Sequence, residues 1–335
     1  MTREKILVTG GTGYIGSHTV VELLNEGFDI EILDNLFNSK IEVLDKIEKI
    51  TGKKPRFHKV DLLDYDATRK VFKDGKFDLV IHFAGLKAVA ESVEKPLKYY
   101  ENNIGGTINL LKCMEEFSVN KLVFSSSATV YGDQREAEFV ETMETGHGIT
   151  NPYGQTKFMI EQIIKDVAKS NPDFSATILR YFNPVGAHKS GLIGEDPNDI
   201  PNNLMPIVMK VATGEIPKLS IYGNDYPTPD GTCIRDFIHV VDLAKGHLAA
   251  ISKMNSGVKV YNLGSGKGTS VLEIITAFEK LSEKKLPYKF AGRRAGDLAK
   301  MYANADLAFR ELEWKTELNV EDAVKDTLNY LNNLT

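Results

Sequence analysis

The chain has 335 residues, more than one hydrophobic core usually organises, and its 42% apolar and 26% charged residues are those of an ordinary globular protein. A formal net charge of −5, with no basic stretch to concentrate Lys and Arg, argues against a nucleic-acid partner. No apolar run reaches the length of a membrane span, Met1-Thr2-Arg3-Glu4-Lys5 runs into a strand pattern without an apolar leader, and the two cysteines, Cys113 and Cys233, make no disulfide framework, so a soluble, cytoplasmic protein is expected.

Ile6-Leu7-Val8, Ile30-Glu31-Ile32-Leu33, Phe57-His58-Lys59-Val60, Leu79-Val80-Ile81, Leu122-Val123-Phe124 and Ala176-Thr177-Ile178-Leu179 are too short and too β-branched for helices and read as strands. Amphipathic stretches lie between them, 17–26 and 97–116 among them. This alternation predicts an α/β protein with a parallel sheet and helices on both faces. After residue 183 the rhythm breaks. Residues 184–233 are rich in Pro, Gly, Asn and Asp, with one helical run at 204–211, and read as a smaller mixed α/β lobe. Residues 236–250 read as a strand and helix that return to the main sheet, while 270–281 and 320–331 read as lobe helices. The expected division is therefore 1–183, with 236–250 returning to it, and 184–335.

Gly10, Gly13 and Gly16 are spaced G-x-x-G-x-x-G between the first strand and the first helix, with Tyr14 and Ile15 inside the motif. A side-chain-free turn at a helix N-terminus lets backbone approach a pyrophosphate, the arrangement of a Rossmann-type dinucleotide domain. Asp34, with Asn35 beside it, ends the second strand roughly 20 residues on, where such domains place the adenosine ribose. A carboxylate accepts from a ribose 2′-hydroxyl and repels a 2′-phosphate, and no arginine lies nearby in sequence, so NAD is expected over NADP. Asp61-Leu62, after the third strand, either meets the adenine or caps a helix.

Tyr153-Gly154-Gln155-Thr156-Lys157 opens a helix with an apolar stripe at Ile160, Ile163, Ile164 and Val167. Tyr153 and Lys157 stand four residues apart and share a face. An isolated pair of this kind is usually core packing and a snorkelling lysine. Here the preceding strand ends in Ser125-Ser126-Ser127, so a hydroxyl at Ser127 can share a proton with the tyrosine and a substrate. A nearby ammonium and the positive helix end are expected to lower the phenol from about 10 by roughly 1–3 units, making an acid–base group. The seven histidines show no metal-ligand spacing, and Asp61, Asp64 and Asp66 read as a cap and a solvated helix start, so no metal is expected.

The glycine motif with Tyr153-x-x-x-Lys157 resembles the extended short-chain dehydrogenase/reductase superfamily. Phe83-Ala84-Gly85-Leu86-Lys87-Ala88-Val89, Ser125-Ser126-Ser127-Ala128-Thr129-Val130-Tyr131-Gly132, Asn151-Pro152-Tyr153-Gly154 and Arg180-Tyr181-Phe182-Asn183-Pro184 narrow the resemblance to the UDP-glucose 4-epimerase family. Pro201-Asn202-Asn203-Leu204-Met205-Pro206, Gly223-Asn224-Asp225-Tyr226-Pro227-Thr228, Arg235-Asp236-Phe237-Ile238-His239-Val240 and Arg293-Arg294-Ala295-Gly296-Asp297 extend it over essentially the whole chain.

The resemblance implies reversible 4-epimerisation of UDP-glucose and UDP-galactose. Tyr153 would take the C4 hydroxyl proton with Ser127 bonded to that oxygen, and the C4 hydride would pass to tightly held NAD and return to the other face of a 4-keto sugar. It implies cofactor contacts from Phe83, Ala84, Gly85, Lys87, Asn102, Ser125, Lys157 and Tyr181. Phe182, Asn183, Asn203, Leu204, Tyr222, Arg235, Arg294 and Asp297 would hold the UDP-sugar beside Ser127 and Tyr153, the two arginines suiting a diphosphate. Met301 falls where the family gates the sugar C2 substituent; a flexible residue of intermediate size leaves UDP-N-acetylhexosamines open. Ala128-Thr129 stand where the related 4,6-dehydratases carry an Asp-Glu pair, which argues against dehydration. A homodimer is also implied, with 97–116 and 152–170 offering surfaces. The competing readings are another NAD-dependent nucleotide-sugar oxidoreductase and a non-catalytic NAD-binding regulator; the latter has no use for Tyr153, Lys157 and Ser127.

Overall fold

In the computed structural model of the chain, which describes residues 4–198, 201, 203–294 and 296–334, Ile6 and Val8 face one side of the first strand and Leu7 the other, and all three are fully buried. Burial on both faces is the signature of a parallel sheet covered by helices. Asn202 and Ala295, quoted in the motifs above, lie outside the described residues.

The first strand, Lys5–Thr9 (β1), leads to Tyr14–Asn25 (α1), and the alternation continues through Asp29–Asp34 (β2), Val43–Thr51 (α2), Arg56–Lys59 (β3), Tyr65–Gly75 (α3) and Leu79–His82 (β4). Val89–Glu94 (α4) and Pro96–Tyr99 (α5) pass through a π-helical turn at Tyr100–Gly105 into Gly106–Glu116 (α6). Lys121–Ser127 (β5), Glu138–Phe139 (β6), Pro152–Ser170 (α7) and Ser175–Tyr181 (β7) follow. The remainder comprises Asn183–Val185 (β8), Leu204–Ala212 (α8), Leu219–Tyr222 (β9), Ile234–His239 (β10), Val240–Ser252 (α9), Gly257–Leu263 (β11) and Gly268–Ser270 (β12). Val271–Ser282 (α10), Tyr288–Ala291 (β13), Lys300–Ala303 (β14), Asp306–Leu312 (α11) and Val320–Leu334 (α12) complete it.

The main sheet has seven parallel strands in the order β11-β7-β5-β4-β1-β2-β3. Val20, Leu23, Ile32, Val123, Leu243 and Trp314 fill the face under α1, α2, α9 and α11. Leu33, Phe72, Leu110, Met114, Ile160 and Ile164 fill the face under α3, α6 and α7, with the buried thiol of Cys113 among them. The strand order reverses between β1 and β4, which opens a crevice beyond their carboxyl ends. A smaller sheet, β12-β10-β14-β6 with β8 also on β10, takes its strands from the chain after β7 except β6, which is contributed from Glu138–Phe139, and β9 pairs with β13. Val208, Ile221, Phe237, Ile274, Phe278 and Val324 form the core there.

Three elements differ from the sequence reading. The run 97–116 is not one helix, because the π-helical turn interrupts it. Of 236–250, the helix packs on α1 beside the main sheet, but the strand stays in the small sheet, paired with β8, β12 and β14. The edge of the main sheet is taken instead by β11, in register from Gly257 opposite Ser175 to Leu263 opposite Tyr181. Among the described residues no helix is long and apolar enough to cross a membrane.

Candidate active site

The crevice between β1 and β4 is the mouth of a cavity of about 690 Å³. Its floor is the glycine turn. Gly10 has φ +72°, and a Cβ there would stand 2.7 Å from the Ala84 backbone nitrogen; a Cβ on Gly16 would stand 2.2 Å from the Gly10 oxygen. Only glycine fits either place. Gly13 occupies the N-cap of α1 without a capping side chain, so Tyr14, Ile15 and Gly16 begin the helix with backbone N–H groups directed at the cavity they line. That is a cradle for a diphosphate.

Asp34 lines the same cavity from the end of β2. Its Oδ2 accepts from the Thr12 backbone N–H at 3.2 Å, and its Oδ1 accepts from the N–H of Leu36 at 2.9 Å and from the Ser39 hydroxyl at 3.3 Å. The carboxylate is thereby fixed by neutral donors, which suits a ribose diol. Asn35 Nδ2 donates to Asp61 Oδ2 at 2.9 Å, and Asp61 Oδ1 accepts from the Leu63 N–H at 2.9 Å. The helix cap is Asp64, which accepts from Ala67 N, so Asp61 and Leu62 are left as cavity wall. Phe83, Ala84, Gly85, Lys87, Asn102, Ser125 and Tyr181 also line it, as do Tyr153 and Lys157. Every residue expected at the cofactor is thus on one cavity.

Helix α7 brings Tyr153 and Lys157 to the cavity. Asn151 caps it through the Gly154 N–H at 2.8 Å and Pro152 occupies its first turn, where a missing N–H costs nothing. Lys157 Nζ donates to the Ser125 carbonyl at 2.6 Å and sits 4.9 Å from the Phe124 ring centroid. Burial pushes this ammonium down to about 8, with the Glu161 carboxylate pulling it back up. Ser127 Oγ accepts from both the backbone N–H and the hydroxyl of Thr129, at 3.2 and 3.0 Å. Its own proton is therefore free to point at Tyr153 or a substrate oxygen. The phenol of Tyr153 corrects the sequence expectation: burial raises it above the ordinary value, and the hydrogen bond with Ser127, rather than the lysine, works in the lowering direction.

Of the residues expected at the sugar nucleotide, Tyr153 lines this cavity and Ser127 bonds to that tyrosine, while the others lie outside the lining. Ser127, Phe182, Asn183, Asn203, Leu204, Tyr222, Arg235, Arg294, Asp297 and Met301 do not line this cavity. Several are joined on the small sheet and its neighbours. Arg235 Nη2 donates to Asp297 Oδ1 at 3.3 Å, Arg294 Nε donates to Asp297 Oδ2 at 2.9 Å, and the Arg294 guanidinium lies 4.9 Å from the Tyr222 ring centroid. Met301 is opposite Arg235, and Asn183 opposite Phe237, in the strand register. Phe182 follows β7 into β8, within the small apolar cluster of Tyr131, Phe139 and Ala303 that Met301 borders. Asn203 precedes α8, which Leu204 begins, and does not cap it with its side chain.

Sequence reasoning missed two residues here. Asn103, in the π-helical turn, is buried; its Oδ1 accepts from the Leu86 N–H at 2.8 Å and its Nδ2 donates to Thr156 Oγ1 at 3.0 Å, tying α7 to the cavity wall. His82 ends β4 between Thr9 Oγ1 at 2.7 Å and Thr107 Oγ1 at 2.9 Å. Because Thr107 gives its proton to the Asn103 carbonyl, its oxygen accepts from His82 Nε2–H, leaving Nδ1 to accept from Thr9. Neither residue carries a local motif; a π-helical turn, once seen, is the signal that would have found Asn103. Among the described residues no group of three or more His, Cys, Asp or Glu is placed to hold a metal ion.

The profile of the NAD dependent epimerase/dehydratase family matches residues 6–264. The UDP-glucose 4-epimerase of Bacillus subtilis is 55% identical over 324 residues, covering 96% of this chain and 95% of that one. That of Pasteurella multocida is 54% identical over 327 residues, 97% of this chain and 96% of that one. The crystal structure of UDP-glucose 4-epimerase from Bifidobacterium longum, in complex with NAD+ and UDP, superimposes with a TM-score of 0.95 at 52% identity over 98% of each chain. With the fold, the cavity and these likenesses in agreement, the chain belongs to the NAD dependent epimerase/dehydratase family, among its UDP-glucose 4-epimerases.

Proposed function

We propose that this chain is an NAD-dependent isomerase that interconverts UDP-glucose and UDP-galactose at C4. The observation that carries the reading is the meeting of Tyr153 and Lys157 with the glycine cradle and Asp34 on one cavity. Gly10, Gly13, Tyr14, Ile15 and Gly16 hold the pyrophosphate of NAD, Asp34 and Asn35 the adenosine ribose, and Asp61 and Leu62 the adenine. Phe83, Ala84, Gly85, Lys87 and Asn102 flank the dinucleotide, with Ser125, Lys157 and Tyr181 at its reactive end. NAD, when bound, supplies the reversible oxidation at C4.

Tyr153 removes the proton of the C4 hydroxyl, and Ser127, whose oxygen is already occupied by Thr129, directs its own proton to that oxygen. Lys157 holds a positive charge against the Ser125 carbonyl, at the reactive end of the dinucleotide. Arg235 and Arg294, paired through Asp297, take the diphosphate of the UDP-sugar with Asn183, Asn203, Leu204, Tyr222 and Phe182 around it. Met301 faces the C2 substituent, so acceptance of UDP-N-acetylhexosamines turns on it, and Met301→Tyr should exclude them. The domain split follows the same division of labour: the main sheet carries NAD, the lobe beyond residue 183 the sugar nucleotide. A cytoplasmic homodimer completes the proposal, supported by apolar side chains left exposed on the expected helices, Leu97 (80% exposed), Ile108 and Met159; sedimentation as a monomer would remove that part.

The test is incubation of the purified protein, without added cofactor, with UDP-galactose, following the sugar by NMR and the absorbance band of NADH. Conversion to a mixture with UDP-glucose and no net NADH supports the proposal. A stoichiometric rise in NADH makes the chain a dehydrogenase, and no conversion even with added NAD rejects the epimerase reading.

A further inference from the structure

A carboxylate that the reaction does not use stands between the two proposed binding sites. Glu195 is only 8% exposed, and its Oε1 accepts from Lys87 Nζ at 2.8 Å and from Asn203 Nδ2 at 2.7 Å. Lys87 follows β4 on the proposed cofactor side, and Asn203 opens α8 on the proposed substrate side. The segment bearing Glu195 is pinned on either flank: Ile193 is in the main core, Asp196 pairs with Lys40, and Asn198 Nδ2 donates to the carbonyls of Phe37 and Ser39 at 3.4 and 3.0 Å. The carboxylate is therefore a fixed post rather than a mobile partner.

We infer that Glu195 is a positioning residue that couples the two sites by holding Lys87 and Asn203 on one oxygen. An ammonium has three N–H donors and an amide two plus a carbonyl. Glu195 consumes one donor from each, so it sets the direction in which Lys87 offers the other two and Asn203 offers its remaining N–H and oxygen. Seating a ligand on one of the two side chains then shifts the shared oxygen against the other, and the coupling is reciprocal for binding. The inference rests on the roles proposed above for Lys87 and Asn203.

The experiment measures release of NAD from the holoenzyme, with and without saturating UDP, in the wild type, E195Q, K87M and N203A, each checked for folding by thermal melting. UDP is expected to slow release in the wild type by about 5-fold or more, the lower end of ordinary site-to-site coupling. In E195Q that ratio should fall toward one and the KM for UDP-galactose should rise more than kcat falls. Simple blocking of the exit by UDP would not depend on Glu195, so a full ratio in E195Q overturns the inference even where K87M and N203A reduce it. If neither K87M nor N203A alters NAD release or UDP affinity, the site assignments fail and the inference falls with them. Should E195Q not hold NAD, E195D, which keeps the charge one methylene shorter, carries the same comparison, and an unchanged ratio there overturns it too.

Discussion

Tyr153 must give up its proton to act as a base, and its surroundings pull both ways. Burial raises the phenol, the Ser127 hydrogen bond lowers it, and Lys157 is occupied with a carbonyl. Removing only the hydroxyl isolates its contribution: Tyr153→Phe should cut turnover by about 10²- to 10⁴-fold, the usual worth of a general acid–base group, with NAD still bound. Wild-type turnover in that variant, read by NMR, would dismiss the assignment. Lys157 leads to a stability prediction. Its ordinary value of 10.5 falls to about 8 in the folded chain, so between those values the unfolded chain binds more protons and stability rises with pH. Below pH 8 both states are protonated and folding bears the full burial cost, about 3 kcal/mol. Lys157→Met should lack this rise. Urea midpoints at about pH 7.5 and 9.5, at matched NAD content, check it; parallel behaviour of variant and wild type would count against a depressed lysine.

Helix α7 is held to the sheet by a buried ion pair one turn past Lys157. Arg180 on β7 donates from Nε and Nη2 to the two oxygens of Glu161 at 3.0 and 2.7 Å, and Ser126 on β5 adds its hydroxyl at 2.6 Å. Both charged side chains are essentially inaccessible, so Arg180→Met strands a carboxylate and should cost about 3–5 kcal/mol. Replacing Glu161 by Met as well should recover part of the loss; strictly additive unfolding energies would contradict the pairing. The helix itself was legible in sequence, because Asn151-Pro152 is a local start signal and Ile160, Ile163 and Ile164 a local stripe. The glycine turn was legible for a similar reason, since its backbone admits no side chain. The π-helical turn was not, as one extra residue per turn leaves an amphipathic run looking continuous. Strand β11 was obscured by an outward Lys259 on an edge strand beginning at a glycine. Arg235 and Asp297 meet only in the fold, so family resemblance rather than local pattern singled them out. Glu195 lies in a Pro- and Asn-rich loop with no pattern to mark it.

At the scale of the whole molecule, three buried histidines support the cavity wall, His82 within it and His18 and His247 against its residues Tyr14 and Tyr181. His18 donates from Nδ1 to the Tyr14 carbonyl, His82 ends β4, and His247 donates from Nδ1 to the Leu243 carbonyl while Nε2 meets the Tyr181 hydroxyl. Burial drives His18 and His82 to about 3 and His247 to about 4. All three are neutral in the folded chain at neutral pH, whereas the unfolded chain protonates them near 6.5. As pH falls below 6.5 the unfolded state therefore binds more protons and stability drops. Glu22, Glu141, Asp236 and Asp242 act in the opposite sense, because burial raises their carboxyls, and they offset part of the histidines' effect as pH falls. Between about pH 6.5 and 5 the histidines contribute a loss of about 2 kcal/mol each by pH 5. That sum is a large share of an ordinary domain's stability. Urea midpoints measured across the window should fall steadily, and His82→Asn should flatten the slope by about one proton. Because Tyr14, His82 and Tyr181 line the cavity, the same protonations loosen its wall first, so NAD should be lost at a higher pH than the sheet unfolds. Cofactor loss coincident with global unfolding would show instead that the cavity wall and the rest of the core open as one unit.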